Sequence, residues 1–186
     1  EYPLPNSDTW SMLLFTTGTT GNSKGVVMYH KNDVAIAGNV MEGTQMKPGN
    51  VEIIPMPLNH SFGIRRYQSD MINGGTVCLM NGMALIGNLW KMLEQYHATS
   101  MAISPATLGM IFHLSGDRIS EYADQIDYIQ VGSAPLPETD KEKLLRYLPN
   151  TRLYNFYGSS EAGCSCILEF SRQNKNGCID RVRSEE

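Results

Sequence analysis

Several things are scarce in this sequence, and each scarcity removes a class of function. Four cysteines (Cys78, Cys164, Cys166 and Cys178) are scattered over 186 residues, too few and too irregular for the disulfide framework of a small secreted scaffold. Buried thiols are expected. Cys164-Ser165-Cys166 could touch a metal but lacks the C-x2-C spacing and a histidine partner. No apolar run approaches the roughly 18 to 20 residues that cross a bilayer. The opening Glu1-Tyr2-Pro3-Leu4-Pro5 forms no basic and apolar leader. A cytoplasmic protein without membrane insertion is the expectation. Dense basic runs are also missing: 15 Lys+Arg face 19 Asp+Glu, a formal charge of -4, so nucleic acid is not an expected partner.

What is present suits a globular protein, with 41% hydrophobic and 18% charged residues. The length is close to one domain of about 150 residues, so a single domain over 1–186 is expected. Apolar runs at 12–16, 26–29, 51–54, 76–80, 100–104, 128–131 and 152–156 read as strands. Helical patterns occupy 32–46, 89–96, 105–114 and 137–148. This alternation implies an α/β fold with a mostly parallel sheet flanked by helices, and ligands at the carboxyl ends of the strands.

The loop after the first strand concentrates chemistry: Phe15-Thr16-Thr17-Gly18-Thr19-Thr20-Gly21-Asn22-Ser23-Lys24-Gly25. Glycines let backbone N–H groups approach phosphate oxygens, hydroxyls add donors, and the lysine adds a mobile positive charge. A polyphosphate is the matching ligand. The pattern is not a P-loop, because Lys24 is flanked by Ser23 and Gly25. Standing alone, the stretch also reads as a turn-rich loop with a solvated lysine.

Three later segments bear on the choice. Pro57-Leu58-Asn59-His60-Ser61-Phe62-Gly63 sets a histidine after a strand, although a lone loop histidine is more often structural or superficial. Gly132-Ser133-Ala134-Pro135-Leu136 is a small-residue turn that permits close backbone approach, or an ordinary strand-to-helix turn. Asn155-Phe156-Tyr157-Gly158-Ser159-Ser160-Glu161-Ala162-Gly163 offers a flat ring, a hydroxyl donor and a hard oxygen ligand in Tyr157, Ser160 and Glu161. Without a ligand, Tyr157 would be core and Glu161 solvated.

In this order and spacing the segments resemble the adenylate-forming superfamily, which includes acyl-CoA synthetases, peptide-synthetase adenylation domains and luciferases. Thr16 through Gly25 is similar to that family's S/T-S-G-T-T-G-x-P-K-G, with Thr17 for a common Ser and Ser23 for the usual Pro. Tyr157 through Glu161 resembles Y-G-x-T-E, with Ser160 for Thr. The resemblance implies a partial N-terminal domain of an acyl-adenylate-forming ligase. In that reading Thr16, Thr17, Gly18, Thr19, Thr20, Gly21 and Lys24 cradle the phosphates of ATP. Ser133 and Ala134 lie against the adenine, and Asn155, Phe156, Tyr157, Gly158 and Ser160 complete the nucleotide site. Thr20 and Glu161 hold Mg2+, and His60 stands at the mouth of the carboxylate pocket. Lys24, His60 and Glu161 are the implied catalytic residues.

The implied reaction activates a small-molecule carboxylic acid to an acyl-adenylate, releases pyrophosphate, and transfers the acyl group to coenzyme A. An amino-acid adenylation domain loading a carrier protein, or a noncatalytic nucleotide-binding module, are the alternatives. The ribose-binding Asp of the family's later Y-R-T-G-D motif, the C-terminal lid domain and the catalytic Lys near the family's carboxyl terminus have no counterpart in the sequence, so the chain is expected to be a core fragment that does not complete adenylation alone. For the acid, Asp70 is the nearest carboxylate able to meet an amine, in a segment, 67–72, that reads helical. An acyl or aryl acid is favoured. Arg65 and Arg66 could bind the second carboxylate of a diacid, or be solvated or salt-bridged. Met71, Met80, Met83, Met92 and Met110 suggest an adaptable apolar interior or plain core packing.

Overall fold

Residues 4–16, 23–80, 82, 86–172 and 181–182 are described in the structure, a computed structural model. Its first two strands, β1 (Trp10–Thr16) and β2 (Lys24–Tyr29), form an antiparallel hairpin that is a two-stranded sheet of its own. Leu14 and Met28 are buried while Leu13 and Phe15 are exposed, so alternation turns one face of the hairpin to the core. Thr16 pairs with Lys24 at the end of the ladder. Helix α1 (His30–Gly43) follows directly, and Asn32 Oδ1 accepts the N–H of its N-cap Tyr29 at 3.1 Å.

The strands β3 (Val51–Ile54), β4 (Thr76–Leu79), β5 (Ser100–Ile103), β6 (Tyr128–Gly132), β7 (Arg152–Ser159), β8 (Gly163–Glu169) and β9 (Arg181–Val182) make one seven-stranded sheet. Its order is β4-β3-β5-β6-β7-β8-β9. The pairings from β4 to β7 are parallel, and β8 and β9 join antiparallel. β5 and β6 are buried at every position, as expected for parallel strands covered on both faces.

Helices α3 (Ile86–Tyr96), α4 (Pro105–Ser115) and α5 (Glu138–Tyr147), with a 3-10 helix at Arg118–Tyr122, cover one face. There Leu89, Leu93, Leu108, Ile111 and Leu144 pack on Ile53, Met101, Ile129 and Leu153. Each such side chain contributes about 1.5–3 kcal/mol of burial. The other face carries α1, the hairpin and α2 (Ser61–Ile72), with Ile36, Val40, Leu14 and Met28 against Tyr128, Tyr154, Cys164 and Ile167.

Two departures from the sequence reading bear on the site. α2 begins at Ser61, well before the expected 67, because His60 caps it. β7 runs past the expected 156 to Ser159 and turns straight into β8, so Tyr157 and Gly158 are strand residues. The turn is tight: Gly163 has φ 73°, and a Cβ on Gly158 would lie 2.1 Å from the Gly163 carbonyl oxygen, which only glycine tolerates. Cys164 is buried on β8 and Cys166 half-buried, and among the described residues no group of three or more His, Cys, Asp or Glu could hold a metal ion. Met80 is buried, but Met71 and Met110 are 44% and 40% exposed, so the methionines do not form one interior set. Met83 lies outside the described residues. Among them, no helix is long and apolar enough to cross a membrane.

Candidate active site

The site is assembled at the carboxyl ends of the strands, beginning with the cap of α2. His60 is exposed, and its Nδ1 accepts the Phe62 N–H at 3.2 Å. An accepting Nδ1 leaves the proton of a neutral imidazole on Nε2, so the ring presents a donor outward from the cap. Gly63 is needed in this first turn, since a Cβ there would sit 2.5 Å from the Pro57 carbonyl oxygen. A shallow depression of about 370 Å3, lined by Met56, Pro57, Leu58, Asn59, Leu79 and Met80, opens where β3 and β4 end, next to this cap.

The β7–β8 hairpin supplies the second part. Tyr157 is 72% exposed, a free ring face at the edge of the fold. Ser159 Oγ accepts the Ala162 N–H at 3.0 Å, closing the turn that carries Ser160 and Glu161. Glu161 is exposed, and neither it nor the exposed Lys24 makes an ion pair among the described residues. Phe156, by contrast, stacks on Phe62 with ring centroids 4.8 Å apart.

α2 binds these two parts together. Arg65, 6% exposed, donates from Nη1 to the Ser159 carbonyl and from Nη2 to the Ser160 carbonyl, each at 2.7 Å. Ser61 Oγ and Ser160 Oγ lie 3.2 Å apart in a hydrogen bond. The two segments that sequence reading singled out around His60 and Tyr157 therefore meet in one corner. The link itself was missed: Ser61 and Arg65 sit at one helical spacing, which becomes legible only once α2 is known to start at Ser61.

Ser133 and Ala134 are exposed just past β6, and Ser133 adopts φ 75°, a left-handed conformation uncommon outside glycine. Gly132 pairs with Phe156, so this turn leaves the sheet alongside Tyr157. A Cβ on Gly132 would lie 2.0 Å from the Phe156 ring. Asn155 and Gly158 are half-buried in β7, as is Thr16 at the end of β1. Thr17, Gly18, Thr19, Thr20 and Gly21 lie outside the described residues.

Two points that the sequence left open are decided, and Arg66 takes the salt-bridged alternative. Arg66 is buried and ion-paired with Glu52 of β3, its Nε donating to Glu52 Oε1 at 2.7 Å and its Nη2 to the Tyr128 hydroxyl at 2.7 Å. Arg65 is turned onto the Ser159 and Ser160 carbonyls. Neither arginine is available for a diacid, because internal acceptors engage both. Asp70 is fully buried beneath α2, where its Oδ1 accepts from Asn50 Nδ2 at 2.9 Å. Burial and the neighbouring Glu52 charge outweigh Arg66 and push its carboxyl up to about 7. It cannot meet a substrate amine.

The model of the AMP-binding enzyme family matches residues 1–184. The chain is 27% identical to 4-coumarate--CoA ligase 3 of Arabidopsis thaliana over 190 residues, covering 96% of this chain and 34% of that protein. To 4-coumarate--CoA ligase-like 3 of the same plant it is 25% identical over 159 residues, covering 84% of this chain and 28% of the relative. Among solved structures, O-succinylbenzoate coenzyme A synthetase (MenE) from Bacillus subtilis in complex with AMP superposes with a TM-score of 0.77 at 21% identity, covering 90% of this chain and 42% of that one. The chain thus spans about a third of the length of the curated relatives. The fold, the corner built by α2 and the β7–β8 hairpin, and the match over nearly all residues agree: the chain belongs to the AMP-binding enzymes, the adenylate-forming family that includes the acyl-CoA ligases.

Proposed function

We propose that the chain carries the nucleotide- and acid-binding surface of an AMP-forming acid–thiol ligase. The enzyme activates an acyl or aryl carboxylic acid and passes it to coenzyme A. The observation that carries this reading is the corner in which α2 joins the outward-facing His60 to the Ser160–Glu161 turn. A donor for a carboxylate and donors for a phosphate then belong to one rigid unit.

In the reaction a carboxylate oxygen attacks the α-phosphorus of ATP, the bond to the bridging oxygen breaks, and pyrophosphate leaves. The thiol of coenzyme A then forms a C–S bond with the acyl carbon and AMP departs. Two anions must first meet; at an effective dielectric of 20, like charges about 4 Å apart repel by about 4 kcal/mol. Lys24, exposed and without an ion pair among the described residues, offsets that repulsion on the phosphates. His60 donates from Nε2 to a carboxylate oxygen and holds the acid for attack. The Ser160 hydroxyl, which donates to Ser61 Oγ in this structure, turns its proton to the α-phosphate when the nucleotide binds, and Tyr157 stacks on the adenine. Glu161 suits magnesium, which is commonly held by one or two carboxylates plus substrate phosphates. Bound there, the ion would neutralise phosphate charge.

The acid's carbon chain is assigned to the depression beside His60, whose lining is mostly apolar. The amino-acid reading loses its nearest partner because Asp70 is buried. The names of the relatives favour coenzyme A as acceptor. The test is acid-dependent exchange between labelled pyrophosphate and ATP, in the protein as expressed from its gene, over a panel of acyl, aryl and amino acids. Exchange with acyl or aryl acids and subsequent coenzyme A consumption is expected. No exchange with any acid, despite ATP binding, would replace this reading with the noncatalytic nucleotide-binding one.

A further inference from the structure

The charged side chains on α2 reach in different directions, and Arg65 makes the contact with the most direct consequence for the turn. Its two terminal nitrogens donate to the consecutive carbonyls of Ser159 and Ser160 at 2.7 Å each. Each carbonyl shares a rigid peptide plane with the next N–H. One guanidinium therefore fixes the planes on both sides of Ser160: Ser159–Ser160 before it and Ser160–Glu161 after it. With both planes set, the Cα–Cβ bond of Ser160 has a fixed direction and the Cα of Glu161, from which its side chain starts, a fixed position.

The neighbouring groups do not supply the same constraint. Ser61 Oγ reaches the Ser160 hydroxyl at 3.2 Å, and the Phe62–Phe156 stack lies further down the strand. Glu161 is exposed and makes no ion pair among the described residues that could aim its carboxylate. A guanidinium suits the task because its donors form a fixed fork that never deprotonates.

We propose that Arg65 is a positioning residue that aims the Ser160 hydroxyl at the α-phosphate and the Glu161 carboxylate at the phosphate-bound magnesium, acting through the backbone without touching the ligand. The proposal rests on the functional reading of those two residues given above. It separates Arg65 from Arg66, whose contacts are confined to the buried interior.

The test compares wild type with Arg65→Met and Arg65→Lys, in the protein as expressed from its gene, by titrating ATP with and without Mg2+. Arg65→Met is expected to weaken magnesium-dependent ATP binding by at least about tenfold, the size of a lost charge-assisted bond. Metal-free ATP binding should fall severalfold less than that, since only the Ser160 bond to the α-phosphate is misaimed while the ring and phosphate contacts of Tyr157 and Lys24 remain. Arg65→Lys, which keeps one strong donor for two carbonyls, should fall between. Hydrogen exchange at the amides of Ala162 and Gly163 should accelerate in Arg65→Met while the β5 and β6 amides keep their protection, which separates loss of aim from unfolding. Equal losses with and without magnesium, or full activity in Arg65→Met, would overturn the positioning role alone. A wild type that shows no magnesium-dependent ATP binding would overturn the functional reading and this inference together.

Discussion

Beneath α2, Glu52, Arg66, Asp70 and Tyr128 are almost fully buried and meet one another: Arg66 pairs with Glu52, the Tyr128 hydroxyl bonds both, and Asn50 bridges Asp70 to Tyr128 at 2.9 and 3.1 Å. At the rim above the same helix, His60, Tyr157 and Glu161 are exposed. The richer collection of charges is the buried one, yet it has no opening to a ligand. The sparser collection holds groups whose polar atoms still face outward. Chemistry-bearing residues mark a binding site here by their unused capacity more than by their number.

The largest way to break that comparison is to remove a buried partner. Arg66→Met leaves Glu52 charged in the interior without its cation, and should cost about 3–5 kcal/mol. Denaturant unfolding monitored by circular dichroism measures it. A loss under about 1 kcal/mol, ordinary for a surface ion pair, would mean that the Glu52 carboxylate is not held in the dry environment described.

A second effect follows from Asp70. With Glu52 and Arg66 charged, the cluster is neutral only while Asp70 is protonated, and its carboxyl is pushed up to about 7. Between the ordinary aspartate range and that value, the folded chain holds a proton that the unfolded chain has released. Stability therefore falls as pH rises through this window and levels off above it. The ceiling is about 4 kcal/mol, at about 1.4 kcal/mol per pH unit. Asp70→Asn should flatten the pH 4–7 part of the unfolding curve; an unchanged slope would show that another group titrates.

Much of this fold was legible because its strands are apolar and its helices amphipathic: 51–54 matched β3 to the residue, and the helical pattern of 105–114 fell within α4. β8 was missed because Gly-Cys-Ser-Cys invited a reading as thiol chemistry, and its alternation of buried and half-buried positions is weak. The Glu52–Arg66 pair was not legible, because the partner lies on a different element and pairing over such a distance leaves no local pattern. Of the site, the ring, hydroxyl and carboxylate of Tyr157, Ser160 and Glu161 could be read from residue type. The Arg65 bonds could not, because their acceptors are backbone carbonyls, which every residue possesses.

At the rim the comparison predicts the reverse pattern, lost function with little lost stability. In the protein as expressed from its gene, Lys24→Met should slow adenylate formation by about a hundredfold, in the range for removing a donor from an anion clamp. Its unfolding free energy should stay within about 0.5 kcal/mol of wild type, as for an exposed side chain that makes no ion pair among the described residues. Pyrophosphate exchange and denaturant unfolding on the same preparations decide the matter. A stability loss matching the activity loss would place Lys24 among the structural charges.

The smallest expected effect sharpens the comparison most, because it asks whether an exposed aromatic is there for a ligand. Tyr157 is on a strand whose neighbours Tyr154 and Phe156 pack inward, yet it remains 72% exposed. Truncating it removes little buried area, so Tyr157→Ala should shift unfolding by no more than about 0.5 kcal/mol. Stacking on a nucleobase is worth about 1–3 kcal/mol by alanine substitution, so AMP should bind about fivefold to a hundredfold more weakly. Tyr157→Phe keeps the ring and should bind AMP as wild type does. Inorganic pyrophosphate, which has no base, should bind all variants alike. If Tyr157→Ala weakened pyrophosphate and AMP equally, the ring would be acting through the shape of the hairpin, and the exposed face of β7 would have to be reassigned from ligand contact to scaffold.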